Sequence, residues 1–355
     1  MADSEQDRSW NYDDYANYYS QLLPGGSINI KYRNRLLMIH YNYSFIKQIR
    51  KYNPDLVVLS GAWILPTIII TALYCKIFKK STKMLFWSES HLLEQRSYSN
   101  IVVKFRDKFR KKFYGLFDGF WTPGEMANEF VKLNSGNNHV PIFFIPNLVD
   151  NAFFEVANNR SELEKIEIKN NLGIDEDCFV FICPARLVKD KGLIEFLNNS
   201  KNVITNKKHL IIIAGEGPLK DDIIFTAEQC KINYRMVGQQ TPKDMVNLYS
   251  IGDVFLLPSL SDPNPLSVIE ACWAGLPLFI SRYVGNHPEL LTNNNGILFD
   301  TLDINDVEKK ILELYDKDEE WFASAKKGSY KNVKEKYLAN VAVHNLVRDL
   351  NEFVK

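Results

Sequence analysis

The chain has 355 residues, of which 46% are hydrophobic and 24% charged, and its formal net charge is zero. This length predicts two domains rather than one large core, and the composition is that of an ordinary soluble globular protein. The balanced charge excludes gross basicity as an argument for a nucleic-acid partner, and we expect none. Residues 1–150 carry 19 Lys and Arg against 13 Asp and Glu, and the remainder carries 24 against 30. A basic first half and an acidic second half indicate separate roles for the two halves.

Short apolar runs alternate with amphipathic segments along the chain. The runs are continuously apolar, which is typical of parallel strands covered on both faces. Helical segments between them, such as Gly192–Lys201, Pro218–Lys231 and Pro242–Ser250, predict repeated β-helix-β units and open, doubly wound sheets. The predicted strands are Asp55–Ser60, Lys83–Ser88, Gly119–Thr122, Ile142–Ile145, Cys178–Pro184, Leu210–Ala214, Tyr234–Val237, Val254–Leu257, Leu278–Ile280 and Ile297–Phe299.

One early segment, Ala62–Phe78, is apolar enough to imitate a membrane span. Its length is about the minimum that crosses a bilayer, and Pro66 and Lys76 interrupt it. Because strand-like runs come directly before and after it, we predict a core helix with Pro66 in its first turn.

The termini and cysteines indicate the cellular compartment. The first ten residues have neither a basic stretch nor an apolar core, so we expect no signal peptide. The five cysteines form no CxxC pair and no cluster with histidine, which predicts reduced structural thiols in a cytoplasmic protein.

A polar stretch, Ile145–Arg160, predicts the domain boundary, with a hinge near Asn147–Asn151. We expect a Rossmann-like first domain over residues 1–148 and a second over 149–336, with a cleft between them. The last segment, 337–355, is predicted to be a helix that is able to cross back to the first domain.

Two acids, Asp262 and Glu270, stand eight positions apart in the stretch PSLSDPNPLSVIEACWAGLP. The stretch follows a predicted strand, and ligands of open α/β sheets bind at that strand end. A helix that begins around Pro265 would turn the free N–H groups of its first turn toward an anion. Carboxylates accept strong hydrogen bonds from sugar hydroxyls, so a sugar site competes here with a plain loop acid and a capping acid.

Two cations follow the strand that ends at Pro184, in the sequence CPARLVKDKG. The planar fork of Arg186 and the point charge of Lys191 suit a diphosphate, although two solvated surface cations are the alternative. Gly215 and Gly217 follow the next strand and permit close approach of a ligand to the backbone.

In order and spacing, residues 180–300 resemble the C-terminal domain of the retaining glycosyltransferases of family 4 (glycosyl transferases group 1), which have the GT-B fold. The first half resembles the family more loosely, through PDLVVLSG and DGFWTPGEMANEFV. The matching stretches of the second half are PARLVKDKG, IIIAGEGPL, MVGQ, LYSIGDVFLLPSLSDPNPLSVIEACWAGLP, VGNHPELL and NNGILF.

The resemblance implies a role for each site residue. Arg186 and Lys191 would hold the diphosphate of a UDP- or GDP-linked sugar, so that no metal is needed. Glu270 would bind the ribose, and Asp262 would stand near the donor sugar, where family members usually have Glu. The remaining donor-binding residues would be Gly215, Val237 beside the base, and Asn264, Pro265, Leu266 and Ser267 at the phosphate or sugar.

The resemblance also implies retention of anomeric configuration, with the leaving diphosphate helping to deprotonate the acceptor. Positioning and charge stabilisation would then supply most of the catalysis. In the first half, Glu89 and His91 follow a predicted strand and are candidate acids, bases or sugar ligands, with a loop histidine and a capping acid as the alternatives. No stretch before Trp10 reads as the family's first strand. We therefore expect either that the chain starts late relative to a longer one or that Ile28–Tyr32 supplies a substitute central strand.

The leading interpretation is a cytoplasmic transferase that moves a sugar from a nucleotide-diphosphate donor to a glycan or lipid-linked glycan in cell-surface polysaccharide synthesis. The alternatives are a GT-B nucleotide-sugar epimerase and a GT-B scaffold protein without turnover. The basic and aromatic segment Val103–Phe117 predicts either a peripheral contact with an anionic membrane at its inner face or a helix that packs its Phe side into the core.

Overall fold

The structure, a computed structural model, describes residues 23–32, 35–42, 44–93, 100–204 and 208–355. Two compact units make up the chain. The described residues up to Asp55 form one unit together with Ala62–Thr82. The other unit consists of Leu56–Gly61 and Lys83–Lys355.

The smaller unit contains an antiparallel hairpin and two helices. Strands β1 (Gly25–Tyr32) and β2 (Arg35–Asn42) pair only with each other, in a two-stranded sheet. The alternative that Ile28–Tyr32 forms a substitute central strand is therefore wrong, because β2 supplies the hydrogen-bond partners of β1. The residues before Leu23 lie outside the described part of the chain.

Helices α1 (Phe45–Tyr52) and α2 (Pro66–Phe78) complete this unit. Pro66 is at the start of α2, as predicted, where its missing N–H leaves no hydrogen bond unmade. The interpretation of α2 as a core helix is only half right, because one of its faces is exposed. Among the residues the structure describes, no helix combines the length and apolar character needed to cross a bilayer.

The larger unit contains a four-stranded parallel sheet in the order β3-β4-β5-β6. All four strands lie at their predicted positions, and the ends differ by one residue at most. Their bounds are β3 Leu56–Leu59, β4 Lys83–Trp87, β5 Gly119–Thr122 and β6 Ile142–Phe144, with helices α3 Asn100–Tyr114 and α4 Glu125–Ser135.

A six-stranded parallel sheet in the order β12-β11-β10-β7-β8-β9 forms the rest of the unit. Strands β8, β10 and β11 are buried along their whole length, as their continuous apolar runs predict. The bounds are β7 Phe179–Pro184, β8 His209–Ala214, β9 Tyr234–Gly238, β10 Val254–Leu257, β11 Leu278–Ser281 and β12 Gly296–Phe299.

Helices from this part of the chain, other than the last one, cover this sheet, and its core is aromatic and aliphatic. The rings of Phe279 and Phe299, for example, stack with centroids 4.5 Å apart. The helices are α5 Asn151–Asn158, α6 Glu162–Asn171, α7 Leu193–Ile204, α8 Lys220–Gln229, α9 Pro242–Ile251, α10 Leu266–Trp273, α11 His287–Leu290, α12 Ile304–Tyr315, α13 Glu319–Tyr337 and α14 Ala339–Val354.

The last helix, α14, packs on the four-stranded sheet. Leu346 of α14 forms a buried cluster with Leu85 of β4 and Phe143 of β6. The ring of Phe353 meets that of Phe143 with centroids 5.0 Å apart. The end of the chain is thus part of the core beneath the first parallel sheet.

Candidate functional site

The order of the six strands places the loops after β7 and β10 side by side. Strands β7 and β10 are paired neighbours, although they are not consecutive in the chain, so the sheet reverses its direction of winding between them. In open α/β sheets such a reversal opens a crevice at the carboxyl ends of the two strands. The predicted site residues Arg186, Lys191 and Asp262 all lie in these two loops.

Backbone contacts hold the two loops together. The N–H groups of Leu260 and Ser261 donate to the Asp190 carbonyl oxygen, at 2.8 and 3.1 Å. Gly192 has a φ of +65°, and a Cβ there would lie 2.2 Å from the Pro258 carbonyl oxygen. Only glycine fits at this position, and the close approach fixes Lys191 against the Asp262 loop.

Lys191 and Asp262 form an ion pair between Nζ and Oδ2. Both side chains are largely buried, with 16% and 12% of their surface exposed. Asp262 is held through its backbone, since Gly285 N–H donates to its carbonyl oxygen at 2.8 Å and Asp262 N–H donates to the carbonyl oxygen of Tyr283 at 3.2 Å. Arg186, by contrast, is exposed at the end of β7. The structure therefore joins the lysine to the acid and leaves the arginine in solvent.

Helix α10 begins at Leu266, one residue after the expected start, with Pro265 as its N-cap. Pro265 supplies no side-chain hydrogen bond to the first turn. Asn286 Nδ2 donates to the Asn264 side-chain oxygen and to the Pro265 carbonyl oxygen, both at 3.0 Å. Ser267 is half-buried in the first turn. An uncapped helix N-terminus held in a fixed orientation favours an anion.

Glu270 is half-buried one turn into α10. Tyr249 of α9 donates its hydroxyl to Glu270 Oε2 at 2.8 Å. Burial raises the pKa of Glu270, and the hydrogen bond from Tyr249 lowers it in part. The tyrosine fixes one carboxylate oxygen and leaves the other as an acceptor for a ligand hydroxyl.

The glycine-rich turn after β8 lies against the loop after β7. A Cβ on Gly215 would lie 2.0 Å from the Ala185 carbonyl oxygen, and its φ of +156° also favours glycine. Leu187 N–H donates to the Glu216 carbonyl oxygen at 3.0 Å, which joins the two loops. Val237, near the end of β9, is half-buried, and its carbonyl accepts a hydrogen bond from Gln240 Nε2.

The candidates from the first half lie at the carboxyl end of β4. Glu89 is half-buried, and its Oε1 accepts a hydrogen bond from Asn147 Nδ2 at 3.2 Å. His91 is only 2% exposed. Glu89 is thus the more accessible of the two, and its hydrogen bond joins it to the predicted hinge.

Sequence reasoning did not single out Tyr249, Asn286 or Glu289. Glu289 Oε1 accepts the backbone N–H of Glu125 at 2.5 Å, at the start of α4. Burial raises the pKa of Glu289. The signal was present in the sequence, because Tyr249, Asn286 and Glu289 stand in the stretches LYSIGD and VGNHPELL that carry the resemblance.

The segment Val103–Phe117 packs part of its aromatic side into the core. Phe113 and Phe117 are buried and contact the ring of Phe86, with centroids 5.4 and 5.2 Å away. Arg110 is also buried and donates to Asn134 at 3.1 Å. Phe109 remains 54% exposed. The alternative of a helix with its Phe side in the core is thus confirmed for Phe113 and Phe117, and membrane contact by this segment stays a prediction.

Within the described ranges no group of three or more His, Cys, Asp or Glu side chains is placed to hold a metal ion. All five cysteines are buried free thiols. Burial raises the pKa of the Cys183 thiol to about 12.

Comparison with known proteins extends the resemblance. Residues 164–331 match the family described as Glycosyl transferases group 1. The UDP-Gal:alpha-D-GlcNAc-diphosphoundecaprenol alpha-1,3-galactosyltransferase of Escherichia coli is 32% identical over 178 residues, or 49% of this chain and 44% of that protein. A second relative, from Corynebacterium glutamicum, is a GDP-mannose-dependent monoacylated alpha-(1-6)-phosphatidylinositol monomannoside mannosyltransferase. It is 25% identical over 50% of this chain and 48% of its own length. The matched part thus spans less than half of either relative.

Solved structures share the fold over most of the chain. Sucrose-phosphate synthase from Thermosynechococcus elongatus superposes with a TM-score of 0.67 at 15% identity, covering 87% of this chain and 76% of its own. Anabaena HepE in complex with UDP and glucose gives 0.67 at 13% identity, covering 86% and 81%. At such identities the likeness shows the fold alone, and the predicted GT-B fold is confirmed. Over residues 164–331, this chain therefore resembles the glycosyl transferases group 1 family.

Proposed function

We propose that this protein is a retaining glycosyltransferase that moves a sugar from a nucleotide-diphosphate donor to a glycan or lipid-linked glycan acceptor. The observation that carries the proposal is the arrangement at the reversal of the six-stranded sheet. There Lys191, Asp262 and the N-terminus of α10 lie in two loops that backbone hydrogen bonds hold together. Glu270 stands one turn further along the same helix.

This arrangement divides the donor among separate groups. Lys191 and the first-turn N–H groups of α10 offer positive charge for a diphosphate, and the exposed guanidinium of Arg186 is able to swing onto it. The oxygen of Glu270 that Tyr249 does not occupy suits a ribose hydroxyl. Asp262, beside Lys191, suits the donor sugar. With the diphosphate held by cations of the chain itself, we propose that transfer needs no bound metal.

The names of the relatives support a proposal for the acceptor. The relatives named above use UDP-galactose and a GDP-mannose donor, and both act on lipid-linked acceptors by name. We propose the same acceptor class and a role in the synthesis of cell-surface polysaccharide or glycolipid. The reaction would take place in the cytoplasm, where the five buried thiols stay reduced.

The test is a calorimetric titration of the full chain with UDP, GDP and their sugar conjugates. We expect one of the two nucleotides to bind and Glu270→Ala to weaken it about tenfold or more, because a buried carboxylate–hydroxyl contact is lost. Glu320→Ala, which removes an exposed carboxylate of α13, is the control and should bind as the wild type does. A folded protein that binds neither nucleotide, or that binds equally well without Glu270, would overturn the donor site.

Retention is tested separately, on the product. The anomeric configuration of the transferred sugar is read by NMR after reaction with a lipid-linked acceptor. Inversion of the anomeric centre would overturn the retaining mechanism but leave the donor site in place. Binding of donor without transfer to any acceptor would favour the scaffold interpretation.

A further inference from the structure

The exposed face of α2 is an apolar surface that the proposed transfer site does not use. Helix α2 is apolar on all sides, and such helices are normally buried on all sides. One face of α2 is indeed packed within the smaller unit. Its buried side chains are Ile68, Thr71, Ala72, Tyr74 and Cys75.

The opposite face carries large side chains in contact with solvent. Ile70, Leu73 and Ile77 follow one another at helical spacing and are 49%, 43% and 58% exposed. Phe78, at the end of the helix, is 68% exposed. Ile64, in the loop before α2, is 55% exposed. A continuous stripe of this kind marks a surface that meets an apolar partner.

The smaller unit that carries the stripe is rich in positive charge. Between residues 23 and 82 the sequence has nine Lys and Arg and one acidic residue, Asp55. Lys76 is exposed three residues after Leu73, beside the stripe, and Lys80 is exposed two residues after the end of the helix. Lys47 and Lys51 are exposed on α1. The rest of the chain offsets this charge, since the whole protein is neutral.

An apolar stripe within a basic surface fits an anionic bilayer. Apolar side chains enter the boundary between headgroups and acyl chains, and each nearby Lys or Arg is attracted by the negative surface potential. A second copy of this chain fits less well, because two copies meeting at this surface would oppose the same positive charge. The helix is too short and too well packed on its other face to span the bilayer.

We infer that the smaller unit binds anionic membranes in a peripheral manner, with Ile70, Leu73, Ile77 and Phe78 of the α2 stripe in the interface and the neighbouring lysines on the headgroups. This surface differs from the Val103–Phe117 segment, whose aromatic side is partly used by the core. The inference stands apart from the proposed transfer activity, because it rests on residues outside 164–331.

The test is sedimentation of the full chain with lipid vesicles. We expect binding to vesicles of phosphatidylglycerol and phosphatidylcholine, loss of that binding at high salt, and little binding to phosphatidylcholine alone. The double variant Leu73→Ser/Ile77→Ser should bind about tenfold more weakly, because two partly exposed aliphatic side chains no longer enter the interface. Lys80→Glu should weaken binding without affecting the fold.

The matched control is Leu302→Ser/Leu312→Ser, which changes two side chains that are 49% and 50% exposed in the larger unit. It should bind vesicles as the wild type does. Equal loss in both double variants, equal binding to neutral and anionic vesicles, or no binding at all would overturn the inference. A dimer in solution that disappears in Leu73→Ser/Ile77→Ser, without vesicle binding, would overturn it as well and assign the stripe to a second copy.

Discussion

The ion pair between Lys191 and Asp262 determines the charge that an incoming donor meets. In Asp262→Asn, Lys191 keeps its charge but loses its partner, so the loops present a net cation to the diphosphate. We expect UDP or GDP, whichever binds, to bind about tenfold more tightly, or by about 1.4 kcal/mol. Transfer should become slower, because the carboxylate proposed to stand at the donor sugar is gone. Calorimetry and a transfer assay measure the two effects separately.

The control for this variant is Asp262→Glu, which keeps the charge and places the family's usual residue at the position. It should leave nucleotide affinity close to that of the wild type. Weaker nucleotide binding in Asp262→Asn than in the wild type would contradict the proposed electrostatics.

The contribution of Glu270 to the free energy of unfolding falls as the pH rises, whereas that of most acidic residues increases. Burial raises its pKa in the folded protein above the ordinary 4.5, so the folded state binds more protons than the unfolded state. Its contribution to stability is fully present below the ordinary pKa and is lost as the pH rises through the folded pKa. Glu270→Gln should therefore unfold at a higher temperature at neutral pH, by about 2 °C for about 1 kcal/mol. The difference should vanish in acid.

Thermal unfolding followed over a range of pH checks this prediction. Tyr249→Phe is the counterpart, since it removes the hydrogen bond that stabilises the Glu270 carboxylate. It should lower the unfolding temperature most at neutral pH. A Glu270→Gln protein less stable than the wild type at neutral pH would show that the charged form is favoured in the fold.

At the scale of elements, Glu289 of α11 fixes the start of α4. Its carboxylate accepts the Glu125 N–H, and Gly124 leaves the room for it. A Cβ on Gly124 would lie 2.7 Å from that carboxylate, while the backbone there is extended and suits any residue. Gly124→Ala should therefore destabilise the protein by about 1 kcal/mol through displacement of Glu289. In a Glu289→Ala background the same change should cost almost nothing.

A double-mutant cycle by chemical denaturation measures this coupling. Additive effects of the two changes would mean that the glycine is needed for another reason. Because the contact joins α4 of the first sheet to α11 beside the second, the coupling also reports on the packing of these two parts of the larger unit.

The sequence predicted the elements of the larger unit better than those of the smaller one. Continuous apolar runs such as β8 and β10 have one stable solution, a covered parallel strand, so their positions were predictable. In the smaller unit, periodicity could not tell an apolar helix buried on both faces from α2, which is buried on one. Residues 35–42 were not predicted to be a strand, so the local pairing of Ile28–Tyr32 with β2 was missed as well.

In the candidate site, the positions of the residues were predictable from the sequence, but the contacts between them were not. The positions of Asp262, Glu270 and Lys191 follow from strand ends, since every parallel strand delivers its next loop to the same edge. That Lys191 pairs with Asp262 could not be read from sequence, because it depends on the close approach of Gly192 to Pro258. The contact between Glu289 and Glu125 joins residues 164 positions apart in the chain.

For the whole molecule, α14 makes the end of the chain a structural part of the first parallel sheet. Leu346 is 8% exposed and lies against Leu85 and Phe143. Leu346→Ala should destabilise the protein by about 2–4 kcal/mol, because it leaves a cavity beneath that sheet. Val347→Ala, on the adjacent position that is 50% exposed, should have almost no effect. Chemical denaturation followed by tryptophan fluorescence compares the two variants, and equal midpoints would contradict the role of α14.

The Lys191–Asp262 pair has a consequence for how an occupied site would differ from an empty one. A binding site for a dianion usually draws mobile salt ions from solution, and these must leave when the ligand arrives. Here the counter-ion is covalently part of the chain, at a fixed distance from the lysine and therefore at a high effective concentration. In the proposed role, the diphosphate of the donor replaces the Asp262 carboxylate as the anion beside Lys191. Its affinity would then vary little with ionic strength, and stray phosphate would compete poorly for the lysine.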